Sequence, residues 1–301
     1  MTEETKAGFV ALIGAPNAGK STLLNQLVGT KVSIVSRKVQ TTRALVRGIV
    51  IEGQAQIVFV DTPGIFKPRR RLDRAMVTSA WGGAADADAV CLLIDARRGL
   101  DEEAEAILTR MGDARGPKIL VLNKIDLIAR ERLLALAATV NERVAFDHTF
   151  MISALKGDGV ADLKTTLAGM MPKGPWLYPE DQISEAPLRV LAAEITREKI
   201  YDRLHQELPY EAHVVTEQWE QRKDGSVRIE QTIFVARESQ RKIVLGDGGR
   251  TIRSIGQSAR EEIAEFAECP VHLFLFVKVR ENWADDPARY REMGLEFPKG
   301  G

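Results

Sequence analysis

The residues best suited to chemistry lie near the amino end, where glycine, lysine and serine are spaced as in a phosphate-binding loop. The run GAPNAGKS, from Gly14 to Ser21, fits the pattern G-x-x-x-x-G-K-[ST]. Glycines let backbone N–H groups curl around phosphate oxygens, and a following helix offers its positive N-terminus. Lys20 would place a charge on the β- and γ-phosphates, and the Ser21 hydroxyl would bind Mg²⁺. The expected nucleotide contacts here are Gly14, Ala15, Pro16, Asn17, Ala18, Gly19, Lys20, Ser21 and Thr22.

A second motif, Asp61-Thr62-Pro63-Gly64, follows an apolar run at 56–60. Asp61 stands where a carboxylate orients the waters of a bound Mg²⁺, and the Gly64 N–H can meet a γ-phosphate. The phosphate loop by itself leaves the base and the reaction open, because kinases and ATPases share it. Further motifs are therefore needed to choose the base.

Two later motifs favour guanine. In Asn123-Lys124-Ile125-Asp126, the Asp126 carboxylate can accept the N1–H and N2–H₂ groups of guanine, which adenine lacks. Lys124 can lie over the base and Asn123 can brace the loop. A backbone N–H of Ser153, Ala154 or Leu155 can reach guanine O6. Taken in this order, each at the end of a predicted strand, the motifs resemble those of the translation-factor-like class of GTPases.

That resemblance assigns roles to two further segments. The polar stretch 33–43 contains Gln40-Thr41-Thr42-Arg43 and would be the first switch loop, with Thr42 favoured over Thr41 as the threonine that binds Mg²⁺ when γ-phosphate is present. Ile65 follows Gly64 where Ras-like proteins carry a water-orienting glutamine, so slow intrinsic hydrolysis is expected. Several GTPases with an apolar residue there carry an asparagine like Asn17 that holds K⁺ near the phosphates. A plain structural asparagine is the alternative.

The elements that must position these residues follow from apolar periodicity. Strands are predicted at 8–14, 45–52, 56–60, 89–95, 118–122 and 149–152, and helices at 20–28, 72–82, 101–111, 130–143 and 160–171. Alternation of apolar strands with helices predicts an α/β domain, 1–172, with a mostly parallel sheet covered on both faces. Each motif then lies at the carboxyl end of a strand.

Composition bounds the remaining possibilities. A length of 301 residues predicts about two domains. Lys plus Arg and Asp plus Glu both number 42, so the chain is not polycationic and nucleic acid would have to bind a local patch. Cys91 and Cys269 lie far apart in apolar runs, which predicts reduced, buried thiols and favours a cytosolic protein. The chain has neither an apolar run of about 18 residues nor a signal-like N-terminus.

A proline-rich stretch separates the two predicted domains. Residues 173–187 are predicted to be a linker that docks through Trp176 and Tyr178. Beyond it, 188–301 is predicted to be a smaller α+β domain, with a helix at 188–208, a hairpin of 213–221 and 227–236, a helix at 251–266 and a strand at 271–279.

The second domain carries a G-x-x-G sequence, Gly246 to Gly249, at the entry to a helix. In a type II KH fold, which the α–β–β–α–β order fits, this loop clamps the phosphates of about four nucleotides. Residues 237–260 hold six basic and two acidic side chains, a local charge of +4. A helix-entry turn without RNA is the alternative, and Asp247 would repel phosphate if it pointed inward. The candidate RNA contacts are Lys242, Gly246, Asp247, Gly248, Gly249, Arg250 and Arg253.

With both halves placed, the chain resembles the Era family of bacterial GTPases along nearly its whole length. The matching segments are GAPNAGKS, QTTR, DTPG, NKID, SAL, YPEDQ, LGDGGRTIRSIG and the tail WADD, Trp283 to Asp286. The resemblance implies slow GTP hydrolysis with Lys20, Thr42, Asp61, Gly64 and Asn17 in catalytic positions. It also implies binding near the 3′ end of small-subunit ribosomal RNA, a part in small-subunit assembly, and a monomer in the cytoplasm with some association with the inner membrane face.

Two other classes of function stay open at this stage. A P-loop kinase or ATP-driven enzyme would share the phosphate loop, although Asp126 argues against it. An RNA-binding scaffold with a vestigial nucleotide site is opposed by the intact Lys20, Ser21 and Asp61.

Overall fold

The chain folds into two compact units. The computed structural model describes residues 4–36, 38, 41–112, 116–204, 211–281 and 286–298. The described residues up to Glu185 form the first unit together with the segment from Arg291, and Ala186–Tyr290 form the second. The sequence had assigned everything after 187 to the second domain. Gln40 of the first switch loop and Trp283, Ala284 and Asp285 of the tail motif lie outside the described residues.

The first unit is a six-stranded sheet in the order β2-β3-β1-β4-β5-β6. Its strands are β1 (Lys6–Gly14), β2 (Val46–Glu52), β3 (Ala55–Asp61), β4 (Ala89–Asp95), β5 (Lys118–Asn123) and β6 (His148–Ile152). Among these described strands only β2 is antiparallel, paired with β3. The carboxyl ends of the parallel strands therefore meet at one edge of the sheet, and this edge carries the predicted motifs.

Helices cover both faces of this sheet, as the sequence predicted. They are α1 (Lys20–Val28), α2 (Arg71–Ala85), α3 (Glu102–Met111), α4 (Arg130–Arg143) and α5 (Val160–Met170). One apolar cluster packs α1 and α5 on one face, and a second packs α2, α3 and α4 on the other. Every residue of β3 and β4 is buried. Burial on both faces explains why these strands appear as continuous apolar runs.

The proline-rich stretch lies against the hairpin of β2 and β3. The Trp176 indole donates to the Gln54 carbonyl at 3.1 Å. Gln56 is buried, and its side-chain oxygen accepts from the amides of Leu177 and Tyr178 at 2.7 and 2.9 Å while its Nε2 donates to the Tyr178 carbonyl at 2.8 Å. The segment is therefore held by hydrogen bonds through Trp176 and Tyr178.

The second unit has a three-stranded sheet in the order β7-β8-β9, with β7 antiparallel and β9 parallel to β8. Its elements are α6 (Leu188–Arg203), β7 (His213–Gln221), β8 (Val227–Val235), α7 (Glu238–Leu245), α8 (Arg250–Ala267) and β9 (Val271–Val279). The last helix, α9 (Pro287–Glu292), begins in this unit and continues past its final residue, Tyr290. Two apolar clusters hold α6 and α8 against the sheet.

The short helices α7 and α9 are absent from the sequence prediction. They have eight and six residues, and the apolar residues of α7 stand together at its end instead of repeating at helical spacing. The observed order is therefore α–β–β–α–α–β before α9. The predicted helix 188–208 ends at Arg203, and residues 205–208 lie outside the described part of the chain.

The cysteine prediction is right in part. Cys91 is fully buried in β4, whereas Cys269 is only half-buried, and both are free thiols. Among the described residues, each helix is too short or too polar to span a bilayer.

Candidate functional site

The phosphate loop connects β1 to α1 and requires its glycines. At Gly14 a Cβ atom would lie 2.5 Å from the Leu93 carbonyl oxygen, and at Gly19 it would lie 2.2 Å from Nδ2 of Asn123. Gly14 and Gly19 also adopt φ angles of +154° and +99°. A side chain at Gly14 or Gly19 would push the loop off the strands that support it.

The Lys20 side chain folds back against the start of the phosphate loop. Its Nζ donates to the carbonyls of Gly14 and Ala15, both at 3.0 Å, and the side chain is buried. Burial lowers the pKa of Lys20 to about 8, although Asp61 opposes that shift. The loop therefore holds an ammonium group beside the amides that are expected to face phosphate.

Asp61 ends β3 and is the centre of a cluster of hydroxyl groups. Its Oδ2 accepts from Ser21 at 2.6 Å, from Ser33 at 2.9 Å and from Thr42 at 3.3 Å. The Ser21 and Thr42 hydroxyls lie 2.9 Å apart. The Thr41 hydroxyl instead donates to the Lys38 carbonyl at 2.8 Å. The structure thus brings Thr42, and not Thr41, beside Ser21 and Asp61.

This cluster fits a magnesium ion. Burial raises the pKa of Asp61, against the opposing effects of Lys20 and the three hydroxyls. The second carboxylate oxygen, Oδ1, is buried and accepts no hydrogen bond from the described residues. A carboxylate with one oxygen still able to accept and three hydroxyls around the other is the hard oxygen set that Mg²⁺ prefers, either directly or through water. Ser33 is not among the predicted site residues, because no motif marks it.

Gly64 and Ile65 lie against the phosphate loop. A Cβ at Gly64 would fall 2.9 Å from Cα of Pro16, and the Ile65 amide donates to the Gly14 carbonyl at 3.0 Å. Ile65 is buried. The Gly64 backbone is therefore close to the loop, while the side chain that follows it is apolar and packed in the core.

Asn123 ties three loops together. Its Nδ2 donates to the Ala18 carbonyl of the phosphate loop at 2.8 Å. Its Oδ1 accepts from the amides of Lys124 at 2.8 Å and Ala154 at 2.9 Å. The Asn123 side chain thus braces the loops as the sequence predicted.

Asp126 lies beside the loop that starts at Ser153. The Ser153 hydroxyl, with help from Lys156, holds the pKa of Asp126 below its ordinary value. The carboxylate is therefore ionised at neutral pH and can accept two hydrogen bonds. The amides of Ser153 and Ala154 donate within the protein, to Asp158 and Asn123, while the Leu155 side chain is 79 % exposed.

The loop from Gly246 to Gly249 is packed tightly at its start and open at its end. A Cβ at Gly246 would lie 2.2 Å from the Thr251 hydroxyl, whereas none at Gly248 or Gly249 would meet an atom within 4 Å. All three glycines have positive φ. The loop leads directly into α8, whose N-cap is Gly249, so the unpaired N–H groups of the first helical turn follow the loop along the chain.

Asp247 points outward from this loop. Its side chain is 93 % exposed and pairs with Arg250, whose Nη2 lies 3.3 Å from Asp247 Oδ2. Lys242, Arg250 and Arg253 are all exposed. The three basic side chains among the candidate RNA contacts therefore face solvent.

Family models match both units. A model described as a 50S ribosome-binding GTPase covers residues 9–124, and a KH domain model covers residues 207–284. Together with the fold and the site, these matches define a P-loop GTPase domain followed by a KH domain.

Proteins of similar sequence and structure identify the family of GTPases to which the chain belongs. A GTPase Era from Afipia carboxidovorans and one from Bradyrhizobium diazoefficiens are each 72 % identical to the chain, over 98 % of its length and 96 % of theirs. A crystal structure of an Aquifex aeolicus Era variant bound to GDP·AlF4⁻ superposes with a TM-score of 0.91 at 38 % identity, covering 96 % of this chain and 99 % of that one. The chain therefore belongs to the Era family of GTPases.

A second solved structure shows Era with MgGDPNP and nucleotides 1506–1542 of 16S ribosomal RNA, with a TM-score of 0.92 at 38 % identity and the same coverage. Membership of this GTPase family sets aside the kinase and the vestigial-site alternatives.

The substitution Asp126→Asn tests base recognition. An amide offers one acceptor where the carboxylate offers two, so we expect GTP affinity to fall about 100-fold and xanthosine triphosphate to bind better than GTP. Competition against a fluorescent GDP measures both, with the exposed Asp162→Asn on α5 as control. Unchanged GTP affinity would show that Asp126 does not read the base.

Proposed function

We propose that the chain is a GTP-driven switch that binds small-subunit ribosomal RNA near its 3′ end and assists assembly of the small ribosomal subunit. The observation that carries the proposal is the pairing of a nucleotide site and an exposed basic G-x-x-G loop in one chain. A protein 38 % identical to it was solved with MgGDPNP and nucleotides 1506–1542 of 16S ribosomal RNA together.

The proposal gives the nucleotide-site residues distinct roles. Backbone N–H groups between Ala15 and Thr22, except at Pro16, which has none, hold the phosphates. Lys20 places its charge on the β- and γ-phosphates, and the Gly64 amide donates to the γ-phosphate. Ser21 and Thr42 hold Mg²⁺, with Asp61 orienting its waters. When bound, the metal neutralises charge on the phosphates.

The switch itself would act through Thr42. Its hydroxyl lies among Ser21 and Asp61, so the γ-phosphate and the metal together favour the position that Thr42 occupies. Loss of the γ-phosphate removes that preference and releases the loop. Ile65 offers no polar group to orient the attacking water, which makes intrinsic hydrolysis slow.

RNA binding would depend on the clamp loop, Gly246–Gly249. Backbone amides of Gly246–Gly249 and the start of α8 would bind phosphates, with Lys242, Arg250 and Arg253 adding charge. Asp247 lowers the affinity of this surface without blocking it, because its side chain points outward and is paired with Arg250.

The family resemblance extends the proposal to a monomeric protein in the cytoplasm, partly held at the inner membrane face. Sedimentation would test the monomer, and cell fractionation with a salt wash would test the membrane association.

We expect K⁺ to accelerate hydrolysis through Asn17, which lies in the phosphate loop at φ +63°. A cation there would stabilise the charge that develops on the phosphates, so GTP turnover should be about tenfold faster in KCl than in NaCl of equal concentration. Asn17→Gly removes the side chain without straining that φ and should abolish the difference. Equal rates in both salts for the unaltered protein would exclude a K⁺ role.

The nucleotide should control RNA binding. We expect an RNA that contains the 3′ end of small-subunit ribosomal RNA to bind about tenfold tighter with a non-hydrolysable GTP analogue than with GDP, a typical coupling between two sites. Filter binding and footprinting in both states measure this ratio. Equal affinity in the two states would remove the switch from the proposal.

Gly249→Asp should impair RNA binding and spare GTP hydrolysis, because it puts a negative charge on the clamp. The matched control is Gly225→Asp, since Gly225 has a similar φ of +82° against +77° and equally open space around its Cβ position. We expect a loss of at least about tenfold in RNA affinity for Gly249→Asp alone. A similar loss in both variants would trace the effect to backbone strain.

A further inference from the structure

A buried carboxylate outside every motif lies at the edge of the nucleotide site. Asp95 is the last residue of β4, and its register partner in β5 is Asn123. Its side chain is only 6 % exposed. Two residues before it, the Leu93 carbonyl lies where a Cβ of Gly14 would clash. Asp95 is therefore adjacent to both the phosphate loop and the base loop, Asn123–Asp126.

Each oxygen of Asp95 has its own hydrogen-bond donor. Oδ1 accepts from the Arg97 amide at 3.0 Å, and Oδ2 accepts from Nζ of Lys124 at 2.7 Å. The Arg97 guanidinium is 4.0 Å away and 59 % exposed, so it contributes little. The main ionic partner of Asp95 is Lys124.

The Lys124 ammonium joins three segments of the chain. Besides Asp95, it donates to the Asn17 carbonyl of the phosphate loop at 2.6 Å. The backbone of Lys124 is fixed as well, with φ +67° and an amide bonded to Asn123. A lysine stem ordinarily moves freely, but here it is held at both ends.

We propose that Asp95 is a positioning residue for nucleotide retention: it fixes the Lys124 ammonium against the phosphate loop, so that the lysine stem forms a rigid plate for the guanine base. The inference rests on the proposed nucleotide-binding role of Lys124. Ordering the stem before the nucleotide arrives removes an entropic cost from binding. It also couples the base loop to the phosphate loop, so that neither opens alone.

A purely local role is the competing explanation. Asp95 also shapes its own loop, because its main-chain carbonyl accepts from the amides of Arg98 and Gly99. If the side chain served only that loop, its removal would lower stability and act independently of Lys124. The two roles therefore differ in whether the effects of Asp95 and Lys124 add.

A double-mutant cycle separates them. Asp95→Asn keeps the shape but leaves one acceptor for two donors, and Lys124→Met keeps the apolar stem without the ammonium. We expect each single change to speed dissociation of a fluorescent GDP about tenfold, and the double variant to be no faster than Lys124→Met. For Asp95→Asn, single-turnover hydrolysis of pre-bound GTP and the melting temperature of the nucleotide-free protein should change little. Glu105→Gln, which removes a carboxylate paired with Arg143, is the control.

Three results would overturn the inference: additive effects of the two changes, an unchanged dissociation rate in Asp95→Asn, or a loss of melting temperature that accounts for the faster dissociation. Failure of the unaltered protein to retain GDP would instead overturn the proposed function. The two failures are therefore distinguishable.

Discussion

The nucleotide site depends on one side chain that joins three loops. Asn123 bonds to the phosphate loop through Ala18 and to the amides of Lys124 and Ala154. These loops follow different strands, and they meet only because the parallel strands end at one edge of the sheet. A primary amide suits this junction because it donates and accepts at once. Gly19 is the complementary constraint, since any side chain there would displace Asn123.

The charged side chains around Asn123 are partly compensated by polar contacts within the protein. Lys20 is held by carbonyls, Asp61 by hydroxyls, and Lys124 by Asp95 and a carbonyl. Buried ions are costly when they lack partners, so these contacts hold the charged side chains in position before ligands arrive. Asp61 Oδ1 is the exception, since it accepts no hydrogen bond from the described residues, and the proposed function places Mg²⁺ and its waters beside Asp61.

The second unit also depends on glycines in a loop at the start of a helix. The proposed RNA binding requires a loop that brings its backbone close to a phosphate, and Gly246, Gly248 and Gly249 have the positive φ that glycine allows. The apolar face of α8 is packed on the sheet, which holds the loop in place. The outward direction of Asp247 reconciles an acidic residue with a surface that is otherwise basic.

The sequence by itself determined the class of fold, the strand-end motifs and the guanine assignment, because these depend on local periodicity and on residue types at fixed spacing. The bounds of α1, β4, α4 and β9 were predicted to the residue for the same reason. Tertiary structure alone decided that Thr42, and not Thr41, bonds to Asp61 and that Ser33 bonds to it as well. It also decided that Asp95 bonds to Lys124. The same is true of the segment from Arg291, which belongs to the first unit. Those pairings join residues distant along the chain, so they depend on the order of strands in the sheet, which local spacing does not encode.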